Sequence, residues 1–221
     1  MPATTLSCLR QRELLLEPGT NYTMTQNSWD ELATGWDARA DTRLYAERAF
    51  ESWNRKIAPL VSDLTESRVL DFGCGTGLLT EKLAPLCGHI VAVDISAAMI
   101  DVLQSKVINK RIGNITPLVT AIDTAAINEN RELSEKFDVV VASSVCGFLP
   151  DYNLTLRDLS STLKPGGLFV QWDWLSEMPI ERIRGAYKES GLTNLGVEEA
   201  FAMTMEDNSM PVVLGVARSP V

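Results

Sequence analysis

Residues 68–85 read RVLDFGCGTGLLTEKLAP, and this stretch decides the fold. Residues 68–72 are mainly apolar, with the β-branched and aromatic character of a strand buried on both faces of a parallel sheet. The glycine-rich residues 73–77 follow, and residues 78–84 then have a helical pattern that Pro85 ends. A strand, a glycine turn and a helix in this order predict the beginning of a βαβ unit.

Two acidic residues stand where neighbouring strands of such a sheet would end. Asp71 interrupts the first apolar run, and Asp94 follows the second run, residues 90–93 (IVAV). In a doubly wound sheet both carboxylates reach the same crevice, where the second can accept hydrogen bonds from the two hydroxyls of a ribose. Glycines between them let a ligand lie against bare peptide groups. The sequence therefore predicts a nucleoside ligand.

The position after the last glycine separates two classes of nucleoside-binding protein. The dinucleotide fingerprint requires a small residue there, and this chain has Leu78. With Asp71 included, residues 71–77 (DFGCGTG) instead resemble the first motif of the class I S-adenosylmethionine-dependent methyltransferases of the small-molecule, type 11/12-like kind. The resemblance continues through residues 121–123, 137–144 and 163–170, and spans about 29–219.

The resemblance implies an α/β fold with a doubly wound, mostly parallel sheet of seven strands. It also implies a C-terminal antiparallel hairpin and two N-terminal helices. Residues 115–119 are predicted to be the third strand, either at an edge of the sheet or locally distorted, because Pro117 lacks a backbone donor. The hairpin is predicted at residues 196–205 and 211–218.

The resemblance also implies S-adenosylmethionine as the cofactor and assigns residues to it. The first motif would hold the methionine end, Asp94 the ribose, and the apolar residues after it the adenine. Asp123 would meet the adenine amino group, or it caps a helix. The implied cofactor-binding residues are Asp71, Gly73, Cys74, Gly75, Gly77, Asp94, Ile95, Met99, Ile122, Asp123, Ser143 and Trp36.

The chain divides into three predicted parts. Residues 1–25 have no sustained periodicity and are predicted to be a flexible leader, while residues 67–221 form the cofactor-binding core of a single domain. Residues 26–66 are predicted to be helical, with Ser28 capping the first helix and a second helix spanning about residues 43–64.

The first of these helices carries a further resemblance. Residues 29–37 (WDELATGWD) are similar to the segment that lies over the cofactor in many small-molecule methyltransferases. Trp36 is thus either part of a lid that shields the sulfonium or a packing residue.

Composition and charge limit the partners. A chain of 221 residues with 45% hydrophobic residues can form one α/β domain with a sizeable core. Its net charge of −9 argues against a nucleic-acid substrate, because such binding depends on cationic contacts to phosphate. No apolar run approaches the roughly 20 residues that span a bilayer. We therefore expect a cytoplasmic enzyme acting on a small-molecule methyl acceptor, with no membrane partner and an undetermined oligomeric state.

The sequence does not identify catalytic chemistry beyond methyl transfer. The cysteines form no C-x-x-C pair and His89 is the only histidine, so no metal site is expected. Many members of the family carry a histidine near the position of Cys146, and this chain does not. The possible general bases are Asp173, Asp151, Tyr152, Tyr45 and Asp37, but no catalytic residue is assigned.

Two alternative functions remain open at this point. One is a methyltransferase-like protein that binds S-adenosylmethionine without catalysis. The other is an NAD(P)-dependent oxidoreductase, which Leu78 and the lack of a Tyr-x-x-x-Lys pair make less favourable.

Overall fold

A computed structural model describes residues 26–205 and 208–221, and the predicted leader at residues 1–25 lies outside them. The described residues form a sheet of seven strands. The strands are β1 Arg68–Phe72, β2 His89–Asp94, β3 Ile115–Val119, β4 Phe137–Ser143, β5 Leu163–Trp174, β6 Thr193–Met205 and β7 Asn208–Arg218.

Helices precede the sheet and connect its strands. The α-helices are α1 Gln26–Ala33, α2 Ala40–Ser52, α3 Leu78–Leu83, α4 Ala97–Lys110, α5 Thr124–Glu129, α6 Arg131–Ser134, α7 Tyr152–Ser161 and α8 Ile180–Glu189. Short 3₁₀ turns at Trp36–Ala38, Ala58–Leu60 and Cys146–Phe148 and a π turn at Trp53–Ile57 complete the helical segments. None of the helices described has the length and apolar character needed to cross a membrane.

The strand order confirms the predicted doubly wound sheet. The order is β3-β2-β1-β4-β5-β7-β6. Neighbouring strands from β3 to β5 pair in parallel, whereas β7 is antiparallel to both β5 and β6. Strand β3 lies at the edge, which is one of the two alternatives that Pro117 indicated. The order of connection reverses between β1 and β4, which opens a crevice at their carboxyl ends.

Two apolar layers cover the faces of the sheet. Because side chains alternate along a strand, Val69 packs with α2, α3 and α4 on one face, whereas Leu70 packs with α6, α7 and α8 on the other. All the residues of β1 after Arg68 are buried. This two-sided burial explains why the strand reads as a nearly continuous apolar run.

The N-terminal helices differ from the prediction. Ser28 lies inside α1, so its predicted capping role is wrong. Helix α2 begins at Ala40 and ends at Ser52, where the chain widens into the π turn and then tightens into a 3₁₀ turn that contains Pro59. Proline cannot donate the helical hydrogen bond, which agrees with the end of the regular helix in this region. The interruption still leaves Trp53 and Ile57 fully buried.

Candidate cofactor-binding site

A cavity of about 410 Å³ opens at the carboxyl ends of β1, β2 and β4, where the topology places the crevice. Its walls come from these strand ends, the glycine loop, the residues after β3 and the N-terminal segment. The sequence-predicted residues that line it are Trp36, Asp71, Gly73, Cys74, Gly75, Asp94, Ile95, Met99, Ile122 and Ser143. Of the predicted set, Gly77 and Asp123 lie elsewhere.

The glycine loop is held against the end of β2. The backbone N–H groups of Gly73 and Cys74 both donate to the carbonyl of Val93, at 2.9 and 3.0 Å. Gly75 has a φ of +54°, and a Cβ added there would meet no atom within 4 Å. The loop therefore presents bare backbone to the cavity, as a ligand that approaches the peptide groups closely requires.

Gly77 has a packing role that the sequence did not indicate. It precedes α3 with a φ of +83°, and an added Cβ would lie 2.4 Å from Cδ1 of Leu103 on α4. This glycine lets the two helices approach each other, and it is not among the residues that line the cavity.

Asp71 lies at the base of the cavity. It is 1% exposed, and the hydroxyl of Thr80 donates to its Oδ2 at 2.6 Å. Burial raises the pKa of Asp71 to about 6; the hydrogen bond from Thr80 opposes this shift, and the nearby charge of Asp94 adds to it. A cationic ammonium group in the cavity would compensate the buried carboxylate.

Asp94 ends β2 on the other side of the glycine loop. Its Oδ2 accepts the backbone N–H of Gly75 at 2.9 Å, and its Oδ1 accepts that of Ser96 at 2.9 Å. Burial raises the pKa of Asp94, although these backbone donors oppose the shift. Each oxygen keeps a further lone pair, so the carboxylate can accept hydrogen bonds from a ligand and hold the loop together at the same time.

Asp123 has one of the two roles that the sequence left open. Its Oδ1 accepts the backbone N–H of Ala126 at 2.8 Å, and the residue is the N-cap of α5. Its side chain is exposed and does not line the cavity, so the alternative role of helix cap is the one observed. The preceding residue, Ile122, is buried and does line it.

The N-terminal segment covers the cavity through contacts that the sequence did not reveal. Asp30 of α1 accepts the hydroxyl of Ser96 at 2.6 Å and the backbone N–H of Ala98 at 3.2 Å. Asp37 accepts the hydroxyl of Thr76 at 2.5 Å and pairs with Lys106 at 2.5 Å. Asp30 and Ser96 are 66 positions apart, and no local pattern links them.

Aromatic side chains form a further part of the cavity wall. The ring of Trp29 contacts those of Phe148 at 5.2 Å and Trp36 at 6.3 Å, both edge to face. Tyr45 and Trp174, whose rings are 5.2 Å apart, line another part of the cavity. Trp29 therefore both packs in this cluster and lines the cavity.

The best-placed candidate for a general base, Asp173, does not line the cavity. It is 2% exposed and accepts the backbone N–H of Cys146 at 3.0 Å and the side-chain amide of Gln171 at 2.9 Å. Burial raises its pKa to about 7 against these donors. Asp173 therefore holds the turn after β4 in place.

The other candidate bases also have structural partners. Asp151 caps α7 by accepting the backbone N–H of Leu154 at 2.9 Å, and Tyr152 donates its hydroxyl to Gln171 at 2.5 Å. Tyr45, which does line the cavity, donates its hydroxyl to the carbonyl of Trp172 at 2.8 Å, and burial raises its pKa. Within residues 26–205 and 208–221, no group of His, Cys, Asp and Glu could hold a metal ion.

Sequence comparison decides the family. A family model described as a methyltransferase domain matches residues 45–208. The chain belongs to this methyltransferase family. This membership confirms the predicted methyltransferase family.

Curated relatives match over part of their length. An uncharacterized methyltransferase of Schizosaccharomyces pombe is 37% identical over 105 residues, which cover 46% of this chain and 37% of the relative. A ubiquinone biosynthesis O-methyltransferase of Chelativorans sp. is 31% identical over 131 residues, covering 59% of this chain and 46% of the relative. The chain thus spans less than half the length of these two relatives.

Solved structures share the fold of this methyltransferase family member. The N-methyltransferase NodS of Bradyrhizobium japonicum, in complex with S-adenosyl-L-homocysteine, superposes with a TM-score of 0.64 at 20% identity, covering 87% of this chain and 99% of NodS. A methyltransferase in complex with the Trm112 activator of Haloferax volcanii gives a TM-score of 0.68 at 16% identity, covering 87% of this chain and 98% of its own. These similarities confirm the predicted Rossmann-like fold.

Proposed function

We propose that the protein binds S-adenosylmethionine in the cavity and transfers its methyl group to a small-molecule acceptor by in-line displacement. One observation carries this proposal. Asp71 and Asp94, from neighbouring parallel strands, line one cavity on either side of a glycine loop whose backbone is open to it. This arrangement suits a ligand that carries both an ammonium group and a ribose.

The lining residues suggest how the cofactor is held. Asp71 would accept the ammonium group of its methionine end, and Gly75 offers bare backbone nearby in the same loop. Asp94 would accept the ribose hydroxyls. The apolar side chains of Ile95, Met99 and Ile122 would contact the adenine, with Ser143 and Trp36 on the walls nearer the methyl group.

We propose that the small acceptor enters the same cavity under the N-terminal segment. We propose that residues 26–66 include a lid, because Trp29 and Trp36 line the cavity while Asp30 and Asp37 attach the segment to α4 and the glycine loop. When bound, S-adenosylmethionine supplies a methyl group already activated by the sulfonium charge. The protein then needs chiefly to align the reactants and exclude water, and alignment can contribute about 7 to 11 kcal/mol in favourable cases.

The acidic composition supports a small molecule, and no nucleic acid, as the acceptor. A cytoplasmic location belongs to the same proposal. Neither the small-molecule class of the acceptor nor the cytoplasmic location depends on which atom accepts the methyl group.

Calorimetric titration with S-adenosylmethionine, S-adenosylhomocysteine and NAD tests the cofactor. We expect both sulfur nucleosides to bind and NAD to bind far more weakly; tight binding of NAD alone would reject the proposal. Methyl transfer from labelled cofactor to a metabolite extract tests catalysis. If the cofactor binds but no acceptor from diverse extracts is labelled, a non-catalytic S-adenosylmethionine-binding protein becomes the better description.

A further inference from the structure

The geometry of the cavity also restricts the acceptor. Resting on the proposed function, we infer that the methyl acceptor is the uncharged nitrogen of an aromatic heterocycle, with a free lone pair, whose methylation gives a permanent cation. The aromatic walls, the sign of the lining charges and the absence of a suitable base among the described lining residues support this inference.

The walls suit a flat or cationic group. Trp29, Trp36 and Phe148 form one edge-to-face cluster on the lid side, and Tyr45 and Trp174 form a second pair on the sheet side. Aromatic rings offer stacking area to a heterocycle, and their negative faces attract a cation within about 6 Å. The walls can therefore bind the neutral acceptor and also stabilise the charge that develops on it.

All charged side chains in the lining are acidic. They are Asp41, Asp71 and Asp94, and among the described residues that line the cavity there is no Lys, Arg or His. The guanidinium of Arg39 donates to Asp41 at 2.8 Å and lies 5.3 Å from the ring centroid of Trp36, outside the lining. An acceptor with a carboxylate or a phosphate would lose its hydration here without meeting a cation in the lining, and such burial is costly.

Among the described residues that line the cavity, none is suited to remove a proton from the acceptor. His89 is the only histidine in the sequence, and it begins β2, at the opposite end of the strand from Asp94. Asp41 is engaged by Arg39, and its pKa is lowered by hydrogen bonding to that side chain although burial opposes the shift. The phenol of Tyr45 already donates to a backbone carbonyl. With Asp71 and Asp94 assigned to the cofactor, a hydroxyl acceptor would have no base.

A neutral nitrogen needs no base. Its lone pair forms the new N–C bond, the electron pair of the broken C–S bond stays on sulfur, and the single positive charge passes from sulfur to nitrogen without release of a proton. The charge thus moves within a cavity whose aromatic rings and carboxylates favour a cation at both positions.

The first test compares acceptors of one shape on the full chain. Isoquinoline, 2-naphthol and 2-naphthoic acid, with matched sets of larger homologues, are incubated with methyl-labelled S-adenosylmethionine, and products are identified by mass. We expect methylation in the nitrogen set, with kcat/KM at least about a hundredfold above the other sets. Preference for hydroxyl or carboxyl acceptors, or no nitrogen product from a protein that binds S-adenosylhomocysteine, would overturn the inference. Failure to bind S-adenosylhomocysteine would instead defeat the proposed function.

The second test measures binding without turnover. In the presence of S-adenosylhomocysteine, the cation N-methylisoquinolinium should bind at least tenfold more tightly than uncharged 2-methylnaphthalene. Trp29→Leu should reduce this preference by about tenfold, the scale of one partly desolvated cation–π contact, whereas Trp29→Phe should largely retain it. Phe50→Leu, an aromatic change on α2 outside the cavity lining, is the matched control. Equal binding of the cation and the hydrocarbon by the wild-type protein would also reject the inference.

Discussion

Replacement of Asp94 by Ala is the sharpest test of how the nucleoside is held. In the structure this carboxylate joins the glycine loop to the start of α4 by accepting the N–H groups of Gly75 and Ser96. The proposed function adds two ribose hydroxyls to the same oxygens. The substitution should therefore affect both ligand binding and the loop.

The two effects differ in size. Hydrogen bonds to a charged group contribute about 1.5 to 3 kcal/mol each, so losing two from the ribose should weaken binding by roughly 3 kcal/mol or more, at least about a hundredfold. Loss of the partners of Gly75 and Ser96 destabilises the fold. Removal of a buried carboxylate, whose pKa burial raises and whose charge is close to that of Asp30, opposes this loss. We expect a net loss of no more than about 2 kcal/mol in the free energy of unfolding.

Calorimetric titration with S-adenosylhomocysteine and chemical denaturation measure the two effects separately. Asp101→Ala is the control, because it removes the same charge from the exposed surface of α4. It should bind the nucleoside as the wild type does. If folded Asp94→Ala binds S-adenosylhomocysteine within about threefold of the wild type, the placement of the ribose is wrong.

Two further predictions concern the glycine loop and the pH dependence of stability. Gly77→Ala should lower the free energy of unfolding by roughly 2 to 4 kcal/mol in thermal unfolding, because its Cβ would meet Leu103 and its φ is positive. Gly75→Ala should lower it by only about 1 kcal/mol, but its Cβ would project into the cavity and weaken S-adenosylhomocysteine binding. Equal losses of stability in the two variants would contradict this prediction. Asp173 has a pKa of about 7 in the folded protein, so it keeps a proton that the unfolded chain releases above about pH 4. Between about pH 4 and pH 7, its contribution therefore lowers the free energy of unfolding as the pH rises. In urea titrations, Asp173→Asn should lose roughly 2 to 3 kcal/mol less stability than the wild type between pH 5 and pH 8. An equal loss in the two proteins would show that Asp173 is not the cause of this pH dependence.

Local patterns were sufficient where the backbone itself sets the structure. Alternate glycines after a buried strand permit few conformations, so residues 73–77 predicted the turn correctly. Pro117 lacks a donor for the sheet, which left two alternatives for β3, and the edge position is the one observed. These inferences depend on a residue and its neighbours in sequence, which the printed sequence contains in full.

Other features depend on which side chains approach across the fold. Asp123 was a candidate adenine contact until the structure placed its carboxylate on the N–H of Ala126. Asp173 lies near the end of β5, where a general base was considered, yet it is buried and accepts hydrogen bonds from the turn after β4 and from Gln171. In both cases the sequence indicated where the residue lies in the sheet, but it did not reveal which groups the side chain contacts.

By itself the sequence determined the order of strands and helices, the glycine loop and the two carboxylates at the strand ends, because strand burial and turn conformation are encoded locally. Only the tertiary structure decided what covers the cavity and which carboxylates are available in it. The contact of Asp30 with Ser96 and the aromatic cluster of Trp29 with Phe148 join positions far apart in the chain. Such contacts form only when the sheet brings the ends of several strands together, and no local period records them.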